Sequence, residues 1–381
     1  MKVSRWNKVA LNYPMEKHNS ELTILLPMWN EALVIEKKLN DLIRDYPFPT
    51  SLLVIDSASD DNSVELVKQW LLDNNANFAN TQLIEMPKRL GKTTAVKLAV
   101  EELNGQEYTG LVLMTDADAL IEKGSIVRLH GWFGDETIGV VGASALRKTS
   151  LAGETKYRDL YELLRVGESK IDSTPFLEGS CMMWRHGVFN TVDLNTKSNA
   201  DDAQISSLVR FGGLRSIWDN QSKFTDFAPN TIEGQRRQKI RRAQGLQRML
   251  KHLHKKVEMT KGGKFSSIFR YQRYFHLTIP FILLLCGIVA IFRWTYVGFT
   301  EMPVGEQAFI HAVLGMAELL CLVTWLISRI GLKLPLIDNM GAVLTGFEYL
   351  LLARYHTFIG RSFHLWDQHK DTREKMARIK N

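Results

Sequence analysis

The sequence has few cysteines, and its N-terminal end lacks a long apolar run. Its three cysteines, Cys181, Cys286 and Cys321, are too few and too scattered for a disulfide framework or a zinc site. We therefore expect the soluble part of the chain in a reducing compartment. Residues 1–20 contain no apolar stretch long enough for a signal peptide. We accordingly expect the domain that follows to stay in the cytosol.

Short apolar stretches alternate with helical patterns through the first part of the chain, which at 381 residues can hold one large domain or two smaller ones. The predicted strands are Glu21–Met28, Ser51–Ile55, Gln82–Met86, Leu111–Met114 and Ile138–Ala145, and the predicted helices include Ala32–Leu42, Ser63–Asn74 and one that starts near Lys92. Strands that alternate with helices predict an α/β domain with a mostly parallel sheet covered on both faces.

Two aspartates, Asp116 and Asp118, follow the apolar strand that begins at Leu111. Open α/β sheets bind their ligands at the carboxyl ends of strands. Two like charges this close repel, so we expect a cation between them. A hard divalent ion that also carries a substrate phosphate fits that need. The alternative is that both aspartates only cap the next helix.

The Gly-Lys-Thr sequence at Gly91–Thr93 has a different possible meaning. A phosphate-binding P-loop requires another glycine five positions before the first of these residues, and that position holds Met86 within an apolar strand. A P-loop ATPase is therefore disfavoured. Lys92 is a candidate point charge for a diphosphate, or an ordinary solvated lysine at a helix start.

A second acidic pair, Asp201-Asp202, precedes a predicted amphipathic helix at Ala203–Arg210. One interpretation is an N-cap whose charge favours the helix dipole. The other is a general base held at a helix start and directed at the site formed by the first strands.

Lys and Arg are concentrated between Arg236 and Lys264, and they contribute much of the net charge of +7. Apolar residues recur among them at helical spacing: Leu246, Met249, Leu250, Leu253 and Val257. This pattern is typical of a helix in the membrane interface. Nucleic-acid binding is the alternative for the basic run, but an apolar segment long enough to span a membrane follows soon after.

Two segments near the C-terminal end are predicted membrane spans, Leu277–Phe292 and Phe309–Ile330. Because the basic stretch precedes the first span, the positive-inside rule places the N-terminal domain in the cytosol. A third segment, Leu334–Ile359, is interrupted by charged residues. We expect it to be interfacial or re-entrant, since a third crossing would place the basic tail outside.

The order of these features resembles the family 2 glycosyltransferases with the GT-A fold, here a membrane-anchored member, over Glu21–Gly245. Pro27–Glu31 (PMWNE) is similar to the family's P-x-x-N-E, and Asp56 matches the carboxylate that meets the nucleotide base. Asp116-Ala-Asp118 resembles the D-x-D motif, which implies Mg²⁺ or Mn²⁺ on the diphosphate of a sugar nucleotide.

Two further segments extend this resemblance. Ala200-Asp201-Asp202 is similar to the motif that carries the catalytic base, which makes Asp202 the base candidate. Gln238–Gly245 resembles Q-x-x-R-W followed by x-R-G, although Arg242 replaces the tryptophan and the register could begin at Gln235. That replacement disfavours polymer synthesis, because the family's tryptophan stacks near the acceptor sugar in polymer-making members.

The resemblance implies an inverting transferase that uses a UDP- or GDP-sugar donor and a lipid or glycan acceptor at the membrane. It implies metal binding by Asp118 with Asp116, catalysis by Asp202, and donor binding by Pro27, Asn30, Glu31, Asp56, Lys92, Asp116, Arg237, Gln238 and Arg241. The alternatives are a processive polysaccharide synthase and a membrane nucleotide-binding subunit without turnover.

The same features divide the chain into five parts. They are an N-terminal extension (1–20), a GT-A domain of Rossmann-like type (21–234), basic interface helices (235–275), transmembrane or re-entrant helices (276–360) and a basic tail (361–381).

Overall fold

The structure is a computed structural model. It describes residues 13, 19–148, 152–227, 229, 231–259, 263–299, 304–330, 332, 338–363, 365 and 370–378. Their strands are β1 Leu22–Met28, β2 Thr50–Asp56, β3 Thr81–Glu85, β4 Leu111–Thr115, β5 Leu120–Ile121, β6 Ile138–Lys148, β7 Cys181–Arg185 and β8 Arg215–Phe227. Their α-helices are α1 Ile35–Leu42, α2 Ser63–Asn74, α3 Lys92–Gly105, α4 Ser125–Gly131, α5 Ala152–Ile171, α6 Asp201–Phe211, α7 Ile232–His252, α8 His254–Met259, α9 Lys264–Leu277, α10 Ile279–Phe299, α11 Glu306–Arg329, α12 Asp338–Phe358 and α13 Lys370–Arg378.

All eight strands belong to one sheet, in the order β3-β2-β1-β4-β7-β6-β8-β5. β1 to β4 are mutually parallel, and Met28 at the end of β1 lies opposite Asp56 at the end of β2. Their carboxyl ends therefore meet at one edge. β7 is antiparallel to both β4 and β6, so the sheet is mixed. The prediction of parallel strands is confirmed for β1 to β4. The sequence of β7, CMMWR, is an apolar run that does not encode the direction of the strand.

Helices cover both faces of this sheet, and each face has its own apolar core. Side chains alternate between faces along a strand, so Ile24 and Leu26 pack in one cluster while Leu25 packs in the other. The interior of β1 thus consists of residues that are buried on both faces. This explains why its sequence is a continuous apolar run.

The apolar stripe of the basic segment packs on protein, contrary to the expectation of a membrane-interface helix. Met249, Leu250, Leu253 and Val257 are buried in the same cluster as Trp184 of β7. A helical period defines an apolar face but not what covers that face. Here the face of α7 and α8 closes the core of the domain.

Two helical stretches of the described chain are long and apolar enough to cross a membrane, Lys264–Val297 and Glu306–Arg329. The first contains the predicted span Leu277–Phe292, and the second covers the predicted span Phe309–Ile330 except for its last residue. Glu318, the carboxylate inside the second, pairs with Arg293 and accepts a hydrogen bond from Trp294 Nε1 at 2.8 Å. The charge is therefore paired, as charged side chains within membrane segments almost always are.

The third C-terminal helix, α12, packs against the catalytic domain as well as against α11. Gln247 Nε2 of α7 donates to the carbonyl of Leu350 at 2.9 Å. Glu348 pairs with Arg236 of α7 and Arg329 of α11, each at 3.2 Å. Glu348, one of the charged residues that interrupt this segment, is thus an ion-pair partner of two neighbouring helices.

Candidate active site

An acidic group lies at the carboxyl edge of the parallel strands. β4 ends at Thr115, and the turn that follows carries Asp116 and Asp118. Asp116 Oδ2 accepts a hydrogen bond from Ser180 Oγ at 2.8 Å, and its Oδ1 lies 2.6 Å from Lys92 Nζ. The aspartates form no cap of a following helix, since α4 begins at Ser125 after Gly124.

Lys92 joins the two acidic pairs that the sequence singled out. It is the first residue of α3, and its Nζ lies 2.6 Å from Asp116 Oδ1 and 3.4 Å from Asp201 Oδ2. Burial pushes the pKa of Lys92 down, but the charges of Asp116 and Asp201 outweigh burial and raise it. Lys92 is therefore a fixed cation inside the site and not a solvated surface lysine.

Asp202 is positioned by backbone groups. Its carboxylate accepts from the Gly179 amide at 3.0 Å and from the Ala203 amide at 2.7 Å. The N-cap of α6 is Ala200, with no side-chain cap, so neither Asp201 nor Asp202 acts as the N-cap. Burial, followed by the charge of Asp201, raises the pKa of Asp202 to about 7. A carboxylate with that pKa accepts protons at neutral pH.

Asp118 is contacted from a part of the chain that sequence reasoning did not connect with the site. Its Oδ2 lies 2.9 Å from Nη1 of Arg373, which belongs to α13 in the basic tail. Arg373 also makes a bidentate pair with Glu31, with Nε–Oε2 at 3.0 Å and Nη2–Oε1 at 2.7 Å. One feature of the sequence could have indicated that this segment packs on the domain. Met376 is an apolar residue one turn after Arg373 in an otherwise charged segment.

The PMWNE segment shapes the loops around the site. Pro27 lies within β1 opposite Ile55. Asn30 has a positive φ of 54°, its amide donates to Ser59 Oγ at 2.8 Å, and its Oδ1 accepts from the Asp60 amide at 2.8 Å. These bonds join the loop after β1 to the loop after β2. Asn30 therefore connects the two loops, and donor binding by Pro27 and Asn30 stays a prediction.

The carboxylate of Asp56 lies at the end of β2 and is 2% exposed. It accepts hydrogen bonds from the amide of Ser59, at 2.9 Å, and from the Ser59 hydroxyl. Its predicted contact with a nucleotide base stays a prediction. Beside it, Arg89 stacks on Trp29 with 3.4 Å between the guanidinium carbon and the ring centroid, a pair that sequence reasoning missed.

The Gln238–Gly245 segment forms the middle of α7 and contacts the residues just before the acidic pair Asp201-Asp202. Asn199 Nδ2 donates to the Arg241 carbonyl at 3.4 Å, and Ser198 Oγ donates to the Gly245 carbonyl at 2.8 Å. A side chain at Gly245 would collide with Asn199, so this close approach requires glycine. Arg237 and Gln238 lie about one turn before Arg241, and their role in donor binding stays a prediction.

Gln235 is the residue at which the alternative register of the Q-x-x-R motif would begin, and its contacts in the structure are structural. Gln235 is buried and donates to the carbonyl of Pro229 at 2.9 Å, so it stabilises the start of α7. Gln244 occupies the position of the arginine in the family's x-R-G. Its Nε2 donates to Thr357 Oγ1 at 3.0 Å and to the Arg361 carbonyl at 2.8 Å. This position therefore connects α7 to the end of α12.

The residues at this edge fit a divalent cation bound together with a diphosphate. Five carboxyl groups meet here (Glu31, Asp116, Asp118, Asp201 and Asp202), and two cations, Lys92 and Arg373, pair with them. Burial raises the pKa of Asp118, and although Arg373 opposes this, the charge of Asp116 adds to the rise. Burial and the neighbouring carboxylate thus disfavour the charged form of Asp118, and a bound cation would favour it.

The protein offers few ligands of its own for such an ion. Among the described residues, no group of three or more His, Cys, Asp or Glu side chains is arranged to hold a metal. Asp118 and Asp116 would thus share the ion with diphosphate and water oxygens. Mg²⁺ is usually bound in this way, by one or two carboxylates and substrate phosphates.

The fold and the acidic edge of its sheet are of a kind found in α/β transferases, and comparison with known proteins identifies the class. Residues 23–193 match the family model Glycosyl transferase family 2, so the chain contains a family 2 glycosyltransferase domain, with the GT-A fold. This stretch includes Lys92, Asp116 and Asp118 but ends before Asp201. The assignment of Asp202 therefore rests on its geometry.

The chain is also similar in sequence to a polysaccharide synthase. The chain is 21% identical over 231 residues to the poly-beta-1,6-N-acetyl-D-glucosamine synthase of Staphylococcus aureus strain COL. The aligned stretch covers 59% of this chain and 54% of the synthase. The chain thus spans about half the length of the curated relatives that it matches. Their activity is not transferred to it by this likeness alone.

One solved structure is similar over nearly the whole chain. It is the mannosyltransferase PcManGT from Pyrobaculum calidifontis in complex with GDP-Man and Mn²⁺. The TM-score is 0.72 at 24% sequence identity, with 94% of this chain and 93% of the other covered. At this identity the likeness shows a shared fold, which includes the helical C-terminal part.

Proposed function

We propose that this protein is an inverting glycosyltransferase that moves a sugar from a nucleotide-sugar donor to a membrane-associated acceptor at the cytosolic face. The observation that supports the proposal is that Lys92 contacts both Asp116 and Asp201 at the carboxyl edge of the parallel strands. Asp202, the base candidate, is the next residue after Asp201 and is held by the Gly179 amide.

In the proposed reaction, an acceptor oxygen attacks the anomeric carbon while the bond to the diphosphate breaks on the opposite side. Asp202 takes the proton of an attacking hydroxyl. Asp118 and Asp116 would hold Mg²⁺ or Mn²⁺, which when bound neutralises the leaving diphosphate. Lys92 keeps Asp116 ionised and oriented. Arg237, Gln238 and Arg241 are proposed donor-binding residues on the α7 side.

The test is sugar transfer from a labelled nucleotide sugar to membrane lipid. A thermal-shift screen of UDP- and GDP-sugars with Mn²⁺ or Mg²⁺ first identifies the donor. Transfer to lipid that needs both the donor and the ion supports the proposal. A protein that binds the donor but turns nothing over would instead be a nucleotide-binding subunit.

A dependence on pH follows from the raised pKa of Asp202. The base works only when deprotonated, and burial together with Asp201 raises its pKa to about 7. We therefore expect kcat/KM with a hydroxyl acceptor to fall about tenfold for each pH unit below 7 and to level off above it. Initial rates from pH 5.5 to 8.5, with donor binding measured over the same range, check this. A flat profile down to pH 5.5, as an ordinary aspartate near 4 would give, contradicts it.

The catalytic domain and α13 belong on the same side of the membrane under this proposal. Arg373 reaches Glu31 and Asp118, which requires an even number of crossings between them. Crossings by α10 and α11, with α12 remaining at the cytosolic face, satisfy this condition. The basic stretch before the first span favours the cytosol for that side.

This topology can be checked by cysteine labelling. In inverted vesicles, a membrane-impermeant thiol reagent should label Glu374→Cys on the exposed face of α13. In right-side-out vesicles it should label Val304→Cys, which lies between the two spans and is 83% exposed. The unsubstituted protein serves as the background control. Labelling of both positions from the same side would contradict two crossings.

A processive polysaccharide synthase is the alternative within the same class, and the likeness to the Staphylococcus aureus synthase favours it. Two candidate spans in the described chain offer little material for a polymer channel in a monomer. The length of the product on a gel separates the cases, because single transfer gives one band and processive synthesis gives a ladder or a smear.

A further inference from the structure

The C-terminal helix α13 delivers one arginine into the candidate active site. Met376 is fully buried and clusters with Val34 and Phe227, and Thr372 is 1% exposed. The helix is therefore anchored on the catalytic domain on both sides of Arg373. This anchoring holds although α13 follows the membrane helices in the chain.

Glu31 orients the guanidinium of Arg373. Nε and Nη2 donate to the two oxygens of the Glu31 carboxylate, and Glu31 is 1% exposed. Because a guanidinium is planar, this bidentate pair fixes the direction of the remaining nitrogen. That nitrogen, Nη1, bonds Thr372 Oγ1 at 3.1 Å and lies 2.9 Å from Asp118 Oδ2.

We propose that Arg373 is a donor-binding residue that contacts the diphosphate of the nucleotide sugar beside Asp118 while its pair with Glu31 stays intact. The inference rests on the proposed function, which places a metal diphosphate at Asp118. Metal–oxygen bonds of about 2.1 Å bring a diphosphate oxygen to within about 4 Å of an Asp118 oxygen. Nη1 already touches that carboxylate.

The charges in the site indicate that Arg373 stays in place when the donor binds, and that α13 is not released. The diphosphate is negatively charged and enters a site with five carboxyl groups. Each fixed cation near it therefore offsets part of the repulsion. Departure of α13 would leave Glu31 buried without its partner, which is strongly unfavourable. Arg373 therefore stays in place and closes the donor site from the C-terminal end of the chain.

The experiment compares Arg373→Gln with Arg378→Gln, an exposed arginine of the same helix. Binding of UDP and GDP, each with Mn²⁺, and of uridine and guanosine is measured by calorimetry on the full-length protein in detergent. Arg373→Gln should weaken binding of the preferred diphosphate by at least about tenfold, because a charge-assisted hydrogen bond is lost. The affinity of Arg373→Gln for the nucleoside should stay within about twofold of that of the unsubstituted protein. The same holds for the affinities of Arg378→Gln for the diphosphate and for the nucleoside.

Unchanged diphosphate binding in Arg373→Gln overturns the proposal. So does an equal loss of nucleoside and diphosphate, which would show a merely structural role. If the glutamine variant does not fold, hydrogen exchange on the unsubstituted protein replaces it. Amide protection of residues 371–376 should rise with Mn²⁺ and the diphosphate but not with the nucleoside. Unchanged or reduced protection would contradict the contact.

The outcome is separable from failure of the proposed function. If the unsubstituted protein binds neither UDP nor GDP with Mn²⁺, the proposed donor is wrong. Suppose instead that it binds one of them, and that Asp118→Ala weakens this binding whereas Arg373→Gln does not. In that case only the proposed role of Arg373 is wrong.

Discussion

Replacement of Asp202 with asparagine is expected to lower the rate of sugar transfer to a hydroxyl acceptor by about 10²- to 10⁴-fold, the range for loss of a general base. Asparagine keeps the shape of the side chain, and its oxygen can still accept from the Gly179 amide. It cannot take the proton of the acceptor. The effect should therefore fall on kcat with little change in donor affinity, measured from initial rates and donor titrations.

The matched control is Asp73→Asn, an exposed aspartate on α2 that hydrogen-bonds Gln69. It makes the same chemical change far from the site and should leave transfer unchanged. Full activity of Asp202→Asn with a hydroxyl acceptor would remove Asp202 from the mechanism. With a polyprenyl phosphate acceptor the loss should be much smaller, because that acceptor is already ionised. The variant thus also reports which acceptor class the protein uses.

Replacement of Asp118 with alanine is expected to abolish metal-dependent transfer, with a loss of at least about 10²-fold. Charge stabilisation by a bound metal amounts to several kcal/mol, and each 1.4 kcal/mol is a factor of ten. The fold should survive, because Arg373 keeps its bidentate pair with Glu31. Transfer is measured over a Mn²⁺ titration, and thermal unfolding of the same preparation monitors folding.

Two outcomes would contradict this assignment of Asp118. One is a Mn²⁺ dependence identical to that of the unsubstituted protein. The other is loss of activity in parallel with a loss of folded protein, which would make Asp118 a structural residue. Asp73→Ala is the matched control and should retain both the Mn²⁺ dependence and the thermal stability.

Several site residues were predictable because they follow strands or begin helices. Asp116 and Asp118 follow an apolar strand, Asp56 ends another, and Lys92 begins a helix. Parallel strands bring their carboxyl ends to one edge, so local sequence already placed these residues together. The strand and helix bounds agree within a few residues, and α2 at Ser63–Asn74 agrees fully.

Other features could not be read from local sequence. The apolar stripe that includes Met249 and Leu253 predicted a helix with one buried face, but the same period suits a membrane or a protein core. β7, at Cys181–Arg185, was not among the predicted strands, and its sequence does not encode its direction. A strand buried on both faces has the same composition whether its neighbours are parallel or antiparallel.

The sequence by itself determined the kind of domain, the edge where we propose that its ligands bind and the identity of the acidic residues there, because apolar periodicity and strand ends are local properties. The tertiary structure decided which cations neutralise those acids. Lys92 lies 24 residues from Asp116, and Arg373 lies 342 residues from Glu31. Such ion pairs depend on where distant elements dock, and an arginine in a charged tail has no local pattern that names its partner.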